Sequence, residues 1–412
     1  MAEEIDVVVI GAGQAGLATS YELQARGVDH VVLEAETPGS SWRHRWDSFT
    51  LVGPNHLVRL PGAVYDGDEP DGFMSREEIT GHLEAYAAHL SATVRHGRPV
   101  HRLAPRDGGG YLLDTDDGPV RSRVVIVATG AYQQPHVPPA ARSIPPGITC
   151  VDVTQYRNPD SLPDGGVLVV GSGQSACQIA EELVLSGREV VMACGRAPWF
   201  PRRPAGRDLF DWFLETPFFE QRPDQLSSPS ARLGANPQVS GASGGHDLNY
   251  RTLHALGVRL GGHLAGVDDG AVRLVPDVAE SIAAGDAAYV MLRGLVLDLC
   301  ETTGAEAPDL ADPTPLEPAR LEAVPLRELG AVVVAAGFRT RYTEWIEIPD
   351  VVDELGFPVH HDGESLVAPD LHFVGVHFLR RRRSSLLFGV GDDAAATAAR
   401  VASRLDTRLD PR

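Results

Sequence analysis

The stretch from Asp6 to Gly16 constrains this chain most. Val7-Val8-Val9-Ile10 is an apolar run that ends in Gly11-Ala12-Gly13-Gln14-Ala15-Gly16, and a helix-compatible run from Leu17 to Arg26 follows. A short run that is apolar on both faces reads as a buried parallel strand. In the Gly-x-Gly-x-x-Gly turn, Gly11 allows the sharp bend, Gly13 lets the backbone approach a pyrophosphate, and Gly16 lets helix and strand pack closely. The start of the helix then offers free N–H groups and a positive dipole end to phosphates. Gly27 stops the helix, Val28 to Leu33 makes a second strand, and Glu34 closes it where a carboxylate can accept hydrogen bonds from ribose hydroxyls. Strand, glycine turn, helix, strand and acid, in that order, predict a dinucleotide-binding unit.

The arrangement recurs. Val167 to Val170 leads into Gly171-Ser172-Gly173-Gln174-Ser175-Ala176, a helix follows to Ser186, Gly187 caps it, and Val190 to Ala193 forms the next strand. Ala176 takes the third-glycine place. No acid ends this second strand; Cys194-Gly195-Arg196 stands there instead. An acid would repel a 2′-phosphate, whereas an arginine holds it with paired hydrogen bonds, so this unit reads as NADP-type with Arg196 on the phosphate. Two units in one chain point to one resident cofactor, FAD on the first unit with Glu34, and one visitor, NADPH on the second. The expected fold is α/β, with two Rossmann-like, three-layer dinucleotide-binding domains and small helical insertions. Residues 1–160 and 325–412 form a discontinuous FAD domain, and residues 161–324 form an NADPH domain with an insertion at about 199–255.

The 412 residues suffice for two such domains. A net charge of −20 lacks the positive footprint of a nucleic-acid or anionic-membrane partner. No apolar run reaches membrane-spanning length, and the N-terminus has no basic and apolar leader, so a cytoplasmic protein is expected. Cys150, Cys177, Cys194 and Cys300 are scattered with no Cys-x-x-Cys, and read as reduced core thiols. The chain has no lysine, which excludes Schiff-base chemistry. The aromatics and arginines from Trp42 to Phe49 read as a loop laid over a flat ligand. Ser75-Arg76-Glu77-Glu78 is a capping box. Leu226 to His246, rich in Ser, Gly, Pro and Asn, reads as a mobile surface excursion. Arg380 to Arg383 reads as a solvated basic face. Gly389 to Asp393 opens a closing helix on the flavin side, with Asp392 or Asp393 as its N-cap. Trp199, Phe200, Trp212 and Phe213 serve either a substrate site or a core.

A disulfide reductase would need a cysteine pair just after Glu34 or in the second domain, and none is there; a ferredoxin-type reductase would need a basic docking face, which the net charge of −20 does not favour. Oxygen activation remains, in which reduced flavin and O2 form a C4a-(hydro)peroxide and the cofactor itself carries the reagent.

At these residues the chain resembles the class B flavin-containing monooxygenases, of the short bacterial and plant type, from Gly11 to about Ala399. The first glycine motif with Glu34 matches that family's FAD site. Ser41-Trp42 and Arg45-Trp46-Asp47-Ser48 match the stretch that packs along the flavin. Ala128-Thr129-Gly130 and Ala336-Gly337-Phe338-Arg339 match the paired interdomain linkers, and the second glycine motif with Arg196 matches the NADPH site. The resemblance implies FAD, NADPH, O2 and oxygenation of a small molecule at nitrogen, at sulfur or by Baeyer–Villiger insertion. His360-His361-Asp362 reads as a solvated turn bounded by Gly356 and Gly363 rather than a metal site, so no metal is expected; a homodimer is a candidate assembly. The cofactor-binding set so expected is Gly11, Gly13, Gln14, Gly16, Glu34, Ser41, Trp42, Val100, Thr129, Gly130, Gly171, Ser172, Gly173, Gln174, Ser175, Arg196 and Asp392. Two departures stand out. Asp152 occupies the place of the family's histidine ahead of Tyr156-Arg157, and Asn55 is offset from the active-site asparagine of the animal members; both are candidate catalytic residues. Asp152 motivates one alternative, an NADPH oxidase or dehydrogenase of the same fold. The other alternative is a flavin-binding regulatory protein without turnover.

Overall fold

The computed structural model describes residues 2–90 and 93–409. Strands β1 (Glu3–Ile10), β2 (Val31–Leu33), β3 (Val94–Arg95) and β4 (Gly118–Val127) carry the first sheet, with helices α1 (Gln14–Gln24) and α2 (Arg76–His89). Strands β5 (Thr149–Asp152), β6 (Gly166–Val170), β7 (Val190–Ala193), β8 (Arg259–Gly261) and β9 (Leu329–Val334) carry the second, with helices α3 (Gln174–Leu185) and α4 (Val278–Thr303). The chain then returns to the first sheet through β10 (Leu371–Phe373) and closes with helix α5 (Val390–Leu409). The parallel order is β10-β4-β1-β2-β3 in the first sheet and β5-β9-β6-β7-β8 in the second. This is the expected mixed α/β architecture.

Alternation along each central strand decides what covers each face. Val7 and Val9 pack with Leu17 and Ala18 of α1 and with Val390 and Ala394 of α5. Val8 and Ile10 face the opposite layer, with Leu103, Leu113 and Tyr342. In the second sheet Val167 and Val169 meet Ile179 and Leu183 of α3, while Leu168 and Val170 meet Val272 and Leu274. Covering on both sides is why Val7–Ile10 and Val167–Val170 are apolar throughout.

Three expectations need correction. Strands β5 and β9 pair into the second sheet, so its strands reach from Thr149 to Val334, beyond the expected limits of 161–324. The chain crosses between sheets through two linkers, and these pair with each other: Gln134–Pro135 runs antiparallel to Phe338–Arg339. Next, the stretch Leu226 to His246 is not wholly a surface excursion, because Gln238, Val239 and Ser240 are buried against the second glycine turn. Finally, the basic run is not a solvated face. Arg382 is wedged against the rings of Phe218 and Phe378 and bonds Gln221, Arg381 and Arg383 pair with Glu220, and Arg380 lies near Asp393.

The capping box forms as expected, with Ser75 accepting from the Glu78 N–H and Glu78 from the Ser75 N–H. Phe200, Trp212 and Phe213 are core, packed on Tyr289, Leu292 and Val296 of α4, and Trp199 stacks on Tyr289 at 4.2 Å. Trp46 is only 1% exposed and sits in the core of the second sheet beside Val153 and Tyr156, although its loop follows β2 of the first. Among the described residues no helix is long and apolar enough to cross a membrane.

His372 on β10 is fully buried, and neither ring nitrogen has a hydrogen-bond partner among the described residues. Burial, reinforced by Arg400 and Arg404, pushes its imidazole down to about 4. The unfolded chain therefore takes up a proton that the folded chain refuses, and stability falls as pH drops from about 6.5 towards 4. The expected loss is about 3 kcal/mol, at about 1.4 kcal/mol for each tenfold change in proton affinity. Urea midpoints at neutral and acid pH measure it. His372→Leu should remove that share of the acid lability, and an unchanged acid drop in this variant would contradict the assignment.

Candidate nucleotide-binding site

The two glycine turns sit at the carboxyl ends of β1 and β6, where open α/β sheets receive ligands. In the first, Gly11 has φ +102°, and a Cβ on it would lie 2.8 Å from the Ala128 carbonyl oxygen. A Cβ on Gly16 would lie 1.8 Å from the Gly11 carbonyl oxygen. A Cβ on Gly13 would meet nothing within 4 Å. The second turn repeats this plan: Gly171 has φ +129° and its Cβ would lie 2.3 Å from the Ala335 oxygen, whereas Gly173 faces open space. Each turn is thus closed around its first glycine and open at its second, and the opening is the cradle a phosphate would fill. Both following helices begin without a side-chain cap, so their first N–H groups remain available.

Around the first turn, Glu34 accepts from the Ala12 N–H at 2.6 Å and from the Glu36 N–H at 3.0 Å, which fixes its carboxylate beside the glycines with acceptor capacity to spare. Gln14 donates to the Ser385 carbonyl at 2.7 Å and accepts from the Trp42 indole at 3.2 Å. Ser41 and Trp42 lie on a helical turn, Ser40–Arg43. Thr129 Oγ1 and the Gly130 carbonyl both accept from Gln133. Val100 packs on the layer that covers Ile10 and Leu33. Asp392 is exposed and pairs with Arg383 at 3.0 Å. Helix α5 already begins at Val390, so Asp392 and Asp393 lie inside its first turn and neither is its N-cap.

Around the second turn, buried Ser172 accepts from the Gly195 N–H, and Ser175 is half-buried. Gln174 exchanges two hydrogen bonds with the backbone of Val239, and Gln238 donates to the Ser172 carbonyl. The segment expected to be mobile is in fact laced to the glycine turn. Arg196 is exposed and has neither ion pair nor hydrogen bond among the described residues.

Between the turns lies a group that sequence reasoning assembled only in part. The Arg45 guanidinium lies 6.0 Å from the Phe49 ring, 5.8 Å from Tyr132 and 5.6 Å from Phe338, with no acidic partner among the described residues. Tyr132 is 52% exposed and meets the His377 ring edge-on at 4.7 Å. His377 shares a 2.8 Å hydrogen bond with Ser385. Surrounding protein nevertheless pushes Arg45 and His377 down, the latter to about 4, and Tyr132 up. Burial is the cause of all three shifts, although Tyr132 keeps about half of its surface open, as a side chain at the rim of a cleft does. Sequence reasoning missed His377; the structure shows that Gly375, two residues earlier, has φ +81° and that a Cβ there would lie 2.5 Å from that of Ala15. A recess of about 600 Å³ near Glu4, His30 and Arg95 opens at the opposite, N-terminal edge of the first sheet.

The two catalytic candidates are otherwise engaged. Asn55 donates to the Glu69 carbonyl at 2.9 Å and accepts from the Met74 N–H at 2.7 Å, which pins the loop between them. Asp152 accepts from the N–H and the hydroxyl of Thr154 at 2.8 and 2.6 Å, closing the turn after β5.

Comparison with known proteins agrees with this geometry. The family described as pyridine nucleotide-disulphide oxidoreductase matches residues 8–207. An uncharacterized CzcO-like oxidoreductase of Geobacillus kaustophilus is 31% identical over 392 residues, covering 95% of this chain and 96% of that one. The rice indole-3-pyruvate monooxygenase YUCCA1 is 31% identical over 189 residues, 45% of this chain and 46% of its own length. Among solved structures, a flavin-containing monooxygenase from Stenotrophomonas maltophilia superposes with a TM-score of 0.63 at 22% identity, covering 98% of this chain and 99% of that one. The chain therefore belongs to the CzcO-like oxidoreductases, and it has the fold of the flavin-containing monooxygenases.

Proposed function

We propose that this chain is an NADPH-dependent monooxygenase of a small organic substrate, with FAD held along Gly11, Gly13, Gly16 and Glu34, and NADPH along Gly171, Gly173 and Arg196. The observation that carries the reading is the pair of matching turns, each with room for a phosphate at its second glycine. When bound, FAD supplies the two-electron chemistry that takes hydride from NADPH and passes electrons to O2. The chain supplies binding, orientation and exclusion of water. The uncapped N–H groups of α1 and α3 meet phosphate charge. Glu34 orients a ribose, and Phe49, Tyr132 and Phe338 wall the cleft with aromatic surface around the fixed charge of Arg45. His377, held neutral by burial, brings no acidic imidazolium to the cleft at neutral pH.

The cysteines favour oxygen over a disulfide as the electron acceptor. Burial holds the Cys177 thiol well above its ordinary range and pushes Cys194 up to about 12, so neither offers a thiolate.

The test follows NADPH oxidation and product under isotopically labelled O2, with a panel of amines, thioethers, cyclic ketones and indole-3-pyruvate, the substrate named for the rice relative. Label should enter at least one product in amounts matching the NADPH consumed. Hydrogen peroxide formed from O2 in an amount equal to the NADPH oxidised, with every compound, would instead establish an oxidase.

A further inference from the structure

We infer that His263 is a second contact for the 2′-phosphate of NADPH, and that it takes up a proton when that phosphate binds; the inference rests on the NADP-type reading of the second glycine turn. Strand β8 lies parallel to β7, with Ala193 opposite Gly261, and the Cys194 N–H donates to the Gly261 carbonyl at 3.0 Å. The chain beyond each strand continues in step, which sets His263 level with Gly195, one residue before Arg196. A Cβ built on Gly195 would lie 3.2 Å from His263 Nε2 and equally close to Ser172 Oγ. The imidazole thus stands over the strand end where the absent acid would have been.

Asp277, at the start of α4, fixes that ring. Its Oδ1 accepts from the His263 N–H at 2.9 Å, and its Oδ2 lies 2.8 Å from Nδ1. Partial burial raises the Asp277 carboxyl, but the bonds from His263 outweigh it and hold the group below the usual carboxylate range. The carboxylate accepts, so Nδ1 must donate, and Nε2 is the nitrogen left facing Gly195. A neutral ring then presents a lone pair there, which repels a phosphate oxygen; only the protonated ring donates. The proton comes from solvent, and binding should draw it in. The other polar groups around Gly195 do not compete. The Tyr250 hydroxyl donates to the Gly195 carbonyl at 2.6 Å, Ser172 accepts the Gly195 N–H, the Cys194 thiol is buried, and Arg196 is itself a cation.

The experiment is isothermal titration of the FAD-loaded protein with adenosine 2′,5′-bisphosphate and with 5′-AMP, which differ only in the 2′-phosphate. Each is run in buffers of different ionisation enthalpy near pH 8, where the phosphate is already a dianion and any proton taken up goes to the protein. The wild type should prefer the bisphosphate and take up close to one proton with it, but none with 5′-AMP. His263→Gln should lose about tenfold in affinity for the bisphosphate and none for 5′-AMP, with the uptake abolished. His263→Lys should restore affinity without uptake, because its charge is permanent. Proton uptake that persists in His263→Gln, or an equal loss for both ligands, would overturn the inference and leave the NADP-type reading standing. A wild type that binds both ligands equally would overturn that reading and the inference with it.

Discussion

Gly16→Ala should leave purification without flavin and with a lowered melting temperature, whereas Gly13→Ala should melt like the wild-type apoprotein and bind FAD at least tenfold more weakly. Both variants add a single methyl group to the same turn, with opposite consequences. At Gly16 the new carbon would come within 1.8 Å of the Gly11 carbonyl oxygen, a backbone atom at the root of the turn. Neither can yield without lifting α1 off β1, and overpacking of this kind costs about 1–3 kcal/mol or more. At Gly13 the methyl meets nothing in the protein, so the fold is untouched. It instead occupies the space proposed for the pyrophosphate, and a tenfold loss corresponds to about 1.4 kcal/mol. Visible absorbance, FAD titration and thermal melts separate the outcomes. A Gly13→Ala protein with wild-type FAD affinity would remove the pyrophosphate from this turn.

Trp46→Ala should lower stability by about 3–5 kcal/mol, the range for emptying a large aromatic site in a core. Trp46 meets Phe49 edge-on at 5.1 Å and is buried among residues of the second sheet. Its neighbour Asp47 extends the same seam, donating its N–H to the Arg157 carbonyl at 2.8 Å and accepting from Asn158 at 2.6 Å and Arg76 at 2.8 Å. The loss should therefore appear as two separated transitions in urea, because the two sheets lose the side chain that joins their cores. One cooperative transition with a midpoint close to wild type would show that the polar seam alone holds them together.

Much of the site was legible because its constraints are local. A turn closed around Gly11 and open at Gly13 is written in three residues, and strand length alone sets Glu34 beside it. What escaped depends on partners distant in sequence. Strand β5 is a short mixed run, Thr149–Asp152, and β9 a short apolar one; the sheet of each is decided by pairing, which no local pattern encodes. Trp46 looks like a ligand-facing aromatic until the second core is known to lie beneath it. Arg382 looks solvated until Phe218 and Gln221 arrive to cover it. Asp392 and Asp393 suit an N-cap by type, but the helix starts earlier, at Val390. His263 carried no signal, since its neighbour Gly195 is set by register and its partner Asp277 lies beyond a hairpin.

The paired linkers carry a mechanical consequence. A domain tethered by one strand of chain is free to swing and to twist. Here two crossings are hydrogen-bonded side by side, Gln134–Pro135 against Phe338–Arg339, and the His136 N–H adds a 2.8 Å bond to the Gly337 carbonyl. Such a double tether resists torsion and leaves bending about one axis as the soft motion. Any opening that admits the visiting nucleotide should then follow a single arc, so the nicotinamide returns to the same face of the cleft at every turnover.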